Sequence, residues 1–188
     1  MMLTRFRSFI GLLFFVAFIP SMKAQIKEGK FIGASAGLGL AAPLDETDIA
    51  GVGFYAQAEY ILNLNKWFGI RPYAGFVIAS GSSEKQELKE FNVKSNAFLA
   101  GVKLRVVAPI PYVAPFVELG IGGSLGSFET YTPLTDVSKS GVLLHVPYAF
   151  GFAVGKNHSV DIKFTYYHHP DVEQFSGAFA AGIYFPLP

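Results

Sequence analysis

The sequence predicts an all-β fold, an eight-stranded antiparallel up-and-down transmembrane β-barrel with a packed polar interior. The first observation is that apolar residues alternate with small or polar residues in eight segments from residue 30 onward. A period of two is that of a strand, because successive side chains point to opposite faces. The second is that no helical pattern lies between these segments. Pairing the last strand with the first would remove the sheet edges and let the apolar face meet lipid.

The first four strands are predicted at 30–40, 51–62, 68–79 and 93–107. Their outward positions are apolar, as at Ile32, Phe54, Phe76 and Phe98. The first strand sets glycine and serine against this face, whereas the next three also set charged and aromatic residues there. Pro72 would remove a ladder hydrogen bond, so a bulge or local irregularity is predicted in the third strand.

The last four strands are predicted at 113–123, 141–154, 159–167 and 176–185. The sixth has the largest apolar face, which includes Phe150 and Phe152. The eighth alternates apolar residues, ending at Phe185, with Ser176, Ala178, Ala180, Gly182 and Tyr184. Each of these segments has the 9–14 residues that a tilted strand needs to cross an outer membrane.

The connections between strands alternate in length. Those after the first, third, fifth and seventh strands, at 41–50, 80–92, 124–140 and 168–174, are the longer ones. Those at 63–67, 108–112 and 155–158 are short. Outer-membrane barrels have short periplasmic turns and longer outer loops. The pattern therefore predicts that both termini of the barrel lie in the periplasm.

Composition and the first segment predict export. Residues 1–24 carry Arg5 and Arg7 before a short apolar run, so they read as a cleaved signal peptide, which leaves 25–188 as one barrel domain. Cleavage would remove three cations and no acid, taking the formal charge from +1 to −2, so nothing points to nucleic acid. The chain has no Cys, which excludes disulfides and thiolate metal sites, and no cofactor is predicted. No later run of eighteen apolar residues is present, which excludes a helical membrane protein.

A soluble lipocalin-like barrel is the alternative fold, because its strands would alternate too. Its apolar faces would point inward and its outer face would carry Lys and Glu. Here nearly every charge within a strand shares a face with Gly, Ala or Ser. This distribution favours the membrane barrel.

From Lys30 to Phe185 the chain resembles the small eight-stranded outer-membrane β-barrel family, the OmpA/OmpX-like barrels. The resemblance rests on the strand pattern, on the segment YVAPFVELGIG at 112–122 and on the aromatic closing strand. It implies a monomer in the bacterial outer membrane, in contact with outer-membrane lipid and lipopolysaccharide. It also implies insertion by the outer-membrane assembly machinery, with the last strand as recognition signal. Pro186, Leu187 and Pro188 after Phe185 depart from the family pattern.

Seven charged residues are predicted to face the interior. An eight-stranded barrel encloses room for side chains but not for an aqueous channel, so these charges must pair with one another. Two readings remain, a structural salt-bridge plug, which we favour, and a gated ion path. The residues are Glu59, Arg71, Lys103, Arg105, Glu118, Asp161 and Lys163.

Weaker candidates lie where the seventh strand meets its loop. His168, His169, Asp171 and Glu173, with His145 nearby, offer metal-ligating side chains, but such loops are usually solvated and no metal site is predicted. Some eight-stranded outer-membrane barrels are lipid A deacylases with His and Ser near the outer end of a strand. His168 and His169 resemble that position, but Pro170 stands where the serine is needed. Ser176 could take its place only if the strand geometry brings it round, so no catalytic site is predicted.

The predicted function is non-enzymatic, either envelope integrity or surface interaction through the extracellular loops. A lipid A-modifying hydrolase and a small pore or transport protein are the alternatives. Aromatic residues at both ends fit the interfacial girdles of a membrane barrel. They are Trp67, Phe68, Tyr112 and Tyr184 at one end and Tyr166 and Tyr167 at the other.

Overall fold

The computed structural model describes residues 27–44, 49–82, 91–172 and 174–188. Its strands form a closed antiparallel barrel in chain order, which confirms the predicted fold. No helix in the described part of the chain is long and apolar enough to cross a membrane. The strands are β1 (Gly29–Pro43), β2 (Gly51–Asn63), β3 (Phe68–Ser82), β4 (Asn92–Val107), β5 (Val113–Tyr131), β6 (Asp136–Val154), β7 (Val160–His168) and β8 (Gln174–Pro186).

The barrel closes between its first and last strands. β1 pairs β8 from Phe31 opposite Pro186 to Pro43 opposite Gln174. We call the end that carries Gly29 and Pro186 the terminal end, and the opposite end, where β1 meets Gln174, the distal end. The predicted signal peptide at 1–24 lies outside the described residues, as do residues 45–48 and 83–90 of two predicted distal connections.

The two faces of each strand are as predicted. On β6, Phe150 is 60% exposed and points outward, whereas the adjacent Ala149 is 5% exposed and points into the lumen. The same contrast runs around the barrel, with Phe54, Phe98, Leu119 and Phe179 all exposed. An apolar exterior over a polar lumen is the reverse of a soluble barrel, and it is suited to lipid.

The prediction of a long loop at 124–140 is wrong. β5 and β6 are each 19 residues long and remain paired up to Tyr131 opposite Asp136. The pairing of β6 with β7 ends earlier, at Val146 opposite His168. The β5–β6 hairpin therefore extends beyond β7. The alternation of apolar residues does not predict the distal part of this hairpin, because glycine, serine and charged residues there leave both faces without a regular apolar pattern.

Two prolines interrupt the ladder without shifting its register. Between β2 and β3, paired residues resume at Leu62 opposite Ile70 after Glu59 opposite Tyr73, and the gap faces Pro72. A similar gap between β5 and β6 faces Pro147. The irregularity predicted at Pro72 is thus a missing pairing rather than an inserted bulge residue, because proline has no N–H to donate.

Candidate functional site: the filled lumen

The centre of the lumen is a cluster of seven buried charged residues, which we call the charge cluster. Its carboxylates are Glu59, Glu118 and Asp161, and its bases are Arg71, Lys103, Arg105 and Lys163. They are the same seven that the alternation places inside. They lie on β2, β3, β4, β5 and β7, and closure of the barrel brings the side chains together across the lumen.

Each carboxylate contacts more than one base. Glu118 lies 2.6 Å from Arg105 Nη2 and 3.0 Å from Lys103 Nζ. Glu59 lies 2.7 Å from Lys103 Nζ and 3.1 Å from Arg71 Nη1, and it also pairs with Lys163. Asp161 accepts from Arg105 Nη2 at 2.5 Å and lies 3.8 Å from Arg71 Nη1. A shared network of this kind compensates the cost of burying each charge better than isolated pairs would.

Small residues make the space for these long side chains. Glu59 stands opposite Gly33, Lys163 opposite Gly151, and Asp161 opposite Gly182. A Cβ added at Gly151 would collide with backbone and with the Phe116 ring. Glycines opposite the charged residues therefore leave the volume that the charge cluster fills, in agreement with the limited interior of an eight-stranded barrel.

A hydrogen-bonded layer of neutral residues covers the charge cluster on its distal side. Gln57 Oε1 accepts from the hydroxyls of Tyr55 at 2.8 Å and Tyr167 at 3.0 Å. The Gln57 amide in turn donates to Glu59. Both tyrosines are fully buried. Tyr167 was predicted in an aromatic girdle, and that prediction is wrong because its side chain points inward.

Two histidines and a serine form the next layer, which we call the Ser–His cluster. Ser124 Oγ lies 2.7 Å from His145 Nδ1 and 2.8 Å from His169 Nε2. His145 Nε2 also bonds the Tyr73 hydroxyl. His169 follows the last residue of β7, and burial lowers its pKa to about 4, so that ring is neutral near pH 7. Sequence reading missed Ser124, because it assigned that residue to a loop.

The weak catalytic candidates His168 and Ser176 do not contact each other in the structure. Ser176 is fully buried in the lumen, where its Oγ lies 3.1 Å from Ser95 Oγ. His168 stands opposite outward-facing Val146 and contacts Tyr166 at 3.3 Å between Tyr166 Oη and His168 Nδ1. Consecutive residues of a strand face opposite sides. Ser176 therefore cannot be reached by His168, and it is His169 that faces the lumen.

The three side chains of the Ser–His cluster are buried. Ser124 and His145 are 0% exposed and His169 is 2% exposed, so other described residues cover the serine in this structure. A nucleophile must reach both its base and the substrate. Among the described residues, no group of three or more His, Asp or Glu side chains is arranged to hold a metal ion. Asp171 is exposed, and Glu173 lies outside the described residues.

Aromatic residues mark both ends of the outer surface. Trp67 and Tyr112 are exposed at the terminal end, and Tyr148 stacks on Tyr166 toward the distal end. Tyr184, predicted in the terminal girdle, instead points into the lumen and donates to Asp161 Oδ2 at 2.5 Å. Its ring occupies the space over Gly33, where a Cβ would collide with it. Tyr184 lies inside the barrel because of its place in the alternation of β8. This placement outweighs the preference of aromatic residues for the membrane–water interface.

Known structures share this fold at low sequence identity. Neisserial surface protein A is 14% identical with a TM-score of 0.56, over 85% of this chain and 98% of that one. The outer membrane protein OprG from Pseudomonas aeruginosa is 13% identical with a TM-score of 0.55, over 87% of this chain and 99% of that one. No protein-family model and no curated protein sequence matches the chain. The chain has the fold of the small bacterial outer-membrane β-barrels.

Proposed function

We propose that this chain is a non-enzymatic barrel of the bacterial outer membrane that acts at the cell surface through its distal connections. The terminal end is assigned to the periplasm, because its turns are short, and the distal end to the outside. Outer-membrane lipid and lipopolysaccharide surround the apolar exterior. Insertion as a monomer by the outer-membrane assembly machinery is part of this proposal.

The observation that carries the proposal is the β5–β6 hairpin. On the distal side of Val146, the described residues of β6 pair only with β5. The edge of residues 136–145 that faces away from β5 therefore has no neighbouring strand among the described residues. Leu134 at the turn is 73% exposed and Val142 beside the free edge is 79% exposed. A free strand edge with exposed apolar side chains favours association with a partner.

The filled lumen supports a non-transporting, non-catalytic role. The charge cluster, the tyrosine layer and the Ser–His cluster fill successive levels of the barrel with buried side chains. An ion would have to displace paired charges to pass, and burying an unpaired charge costs several kcal/mol. The small pore and the lipid-modifying hydrolase both need an open route that these layers obstruct.

The test is complementation of a strain that lacks the gene. One variant replaces residues 129–138 by Asn-Gly, a sequence suited to a two-residue hairpin turn, and keeps the paired base of the hairpin. We expect this variant to fold and to lose adhesion to surfaces and to other cells, while resistance to bile salts stays at the wild-type level. The Glu118→Gln barrel is the matched lumen variant and should retain adhesion wherever it folds.

Three other outcomes would redirect the assignment. If the shortened hairpin restores adhesion fully and only complete loss of the protein sensitises cells to bile salts, the role is envelope integrity. Release of fatty acid from lipopolysaccharide by the purified wild-type barrel would instead establish a hydrolase. Stepwise conductance in planar bilayers would establish a pore.

A further inference from the structure

The terminal end of the lumen contains a cavity of about 300 Å³ that the charge cluster does not fill. Part of its wall is apolar, with Phe31, Ile61, Phe68 and Val107 among the lining residues, and Asn63, Asn65 and Asn157 are among the polar ones. Arg71 and Arg105 of the charge cluster also line it. This volume is at the lower end of the range for small-molecule sites, and an apolar wall with a few convergent polar groups is the usual composition of such sites.

The charges around this cavity are of one sign. Arg71, Arg105 and Lys27 line it, and no carboxylate among the described residues does. The charge cluster behind it is also unbalanced, because four bases face three carboxylates among the buried residues. One formal positive charge therefore remains without a carboxylate of its own. An anion in the cavity would supply the missing negative charge next to the two arginines.

Two buried polar atoms of lining residues lack hydrogen-bond partners in the described part of the chain. Arg71 is only 5% exposed, yet its Nε donates to no acceptor, and a Glu118 oxygen lies 3.8 Å from it. His158 is also buried, and its Nδ1 has no partner while Nε2 lies 2.9 Å from Ile110 O. A buried donor without an acceptor is costly, so Arg71 Nε marks where an acceptor is missing.

We propose that the terminal cavity binds a short amphiphile with an anionic headgroup. Its carboxylate or phosphate lies against Arg71 and Arg105, where charge-assisted hydrogen bonds are strongest. Its hydrocarbon lies against Phe31, Ile61 and Phe68. This proposal is independent of the role proposed for the distal hairpin. It uses the proposed orientation of the barrel only to infer that the cavity opens toward the periplasm.

The test uses the full barrel in phosphatidylcholine nanodiscs, with backbone amide signals of Gly69, Val107 and Ser159 followed by NMR. Octanoate and octyl phosphate are the anionic probes, octanol and octyltrimethylammonium the neutral and cationic ones, and inorganic phosphate the probe without a chain. We expect saturable shifts with at least one anionic amphiphile and affinities at least tenfold weaker for the other three probes. The tighter of octanoate and octyl phosphate identifies the source as a fatty acid or a phosphate-headed lipid.

Three variants assign the binding to this cavity. Arg71→Lys keeps the charge but lacks Nε, and it should weaken anion binding at least tenfold. Ile61→Phe fills the cavity and should abolish saturation, whereas Leu62→Phe adds the same ring to the outward face and should bind like the wild type. Heat-modifiable gel mobility verifies that each barrel is folded, and Ala153→Ile replaces Ile61→Phe if that variant does not fold.

Some results would overturn the proposal. Octanol binding as tightly as octanoate would remove the role of the arginines. Inorganic phosphate binding as tightly as octyl phosphate would remove the role of the apolar wall. The site would be excluded if both Arg71→Lys and the cavity-filling variant bound the anionic probes with wild-type affinity. It would also be excluded if no anionic probe caused a saturable shift.

Discussion

At the scale of single residues, the stability of the packed lumen depends on the balance between buried positive and negative charges. Glu118 contacts Lys103 and Arg105 within 3.0 Å, and none of these groups is open to solvent. Removing a carboxylate from a cluster that already has one base too many leaves two bases without partners. Removing a base restores the balance. The two kinds of substitution should therefore differ in cost.

Replacing Glu118 by Gln should destabilise the barrel by about 3–5 kcal/mol, the usual cost of breaking a buried ion pair from one side. Combining it with Lys103→Met should recover most of that loss. Lys163→Met alone should cost clearly less, because it removes the excess charge. Urea unfolding followed by heat-modifiable gel mobility measures all three. Equal destabilisation by Glu118→Gln and Lys163→Met would contradict the importance of the charge imbalance.

His169 should make stability fall in mild acid. Its pKa in the folded barrel is about 4, below the ordinary value of about 6.5, because burial disfavours the charged ring. Between these values the unfolded chain binds the proton and the folded chain does not. The stability contribution is therefore complete above pH 6.5, is lost as the pH falls toward 4 and levels off below it, with a total change of about 3 kcal/mol.

The variant His169→Gln isolates this effect from that of other titrating groups. Its stability should change less between pH 7 and pH 4 than that of the wild type, with unfolding midpoints in urea as the measurement. An unchanged dependence in His169→Gln would show that this ring is not the source.

At the scale of strands, each element has one face for lipid and one for the lumen. β6 shows this most clearly, because large aromatic residues alternate there with alanine and glycine. A cross-strand contact between Phe150 and Phe164, 5.5 Å between ring centroids, continues the aromatic surface onto β7. The tolerance of a substitution should depend on its face more than on its position along the strand.

Replacing outward Phe150 by Arg should destabilise the folded barrel by roughly 2–4 kcal/mol, the cost of placing Arg on the lipid face near the midplane. Replacing inward Ala149 by Ser should cost far less, because a small hydroxyl can bond within the polar lumen. Folding into lipid vesicles from urea measures both. Similar tolerance at the two positions would mean that the faces have been assigned the wrong way round.

At the scale of the whole molecule, the lengths of the connections give the barrel a direction. The terminal end has short turns such as the one at Asn157, whereas the distal end carries the long β5–β6 hairpin. If the distal end is outside, a tag inserted at Leu134 should bind antibody on intact cells. A tag at Asn157 should bind only after permeabilisation. Labelling at Asn157 in intact cells would reverse the orientation.

The sequence alone determined the fold, the faces and the inward charges. A period of two assigns each residue of a strand either to the lumen or to the lipid face. Eight such strands in one closed sheet leave few alternative folds. For this reason Phe150, Ala149 and all seven charges were assigned to their faces correctly. The same period also places Tyr167 and Tyr184 inside, against the preference that suggested a girdle.

Only the tertiary structure decided which residues meet. Glu59 contacts Lys103 and Lys163, which are 44 and 104 residues away in sequence, through the register and the curvature of the closed barrel. The extent of the β5–β6 hairpin, the contact of Ser124 with two histidines and the cavity beside Arg71 depend on the same geometry. Alternation assigns a side chain to the lumen, but its depth and its neighbours across the lumen are set by strand pairing and tilt, which act between strands far apart in the chain.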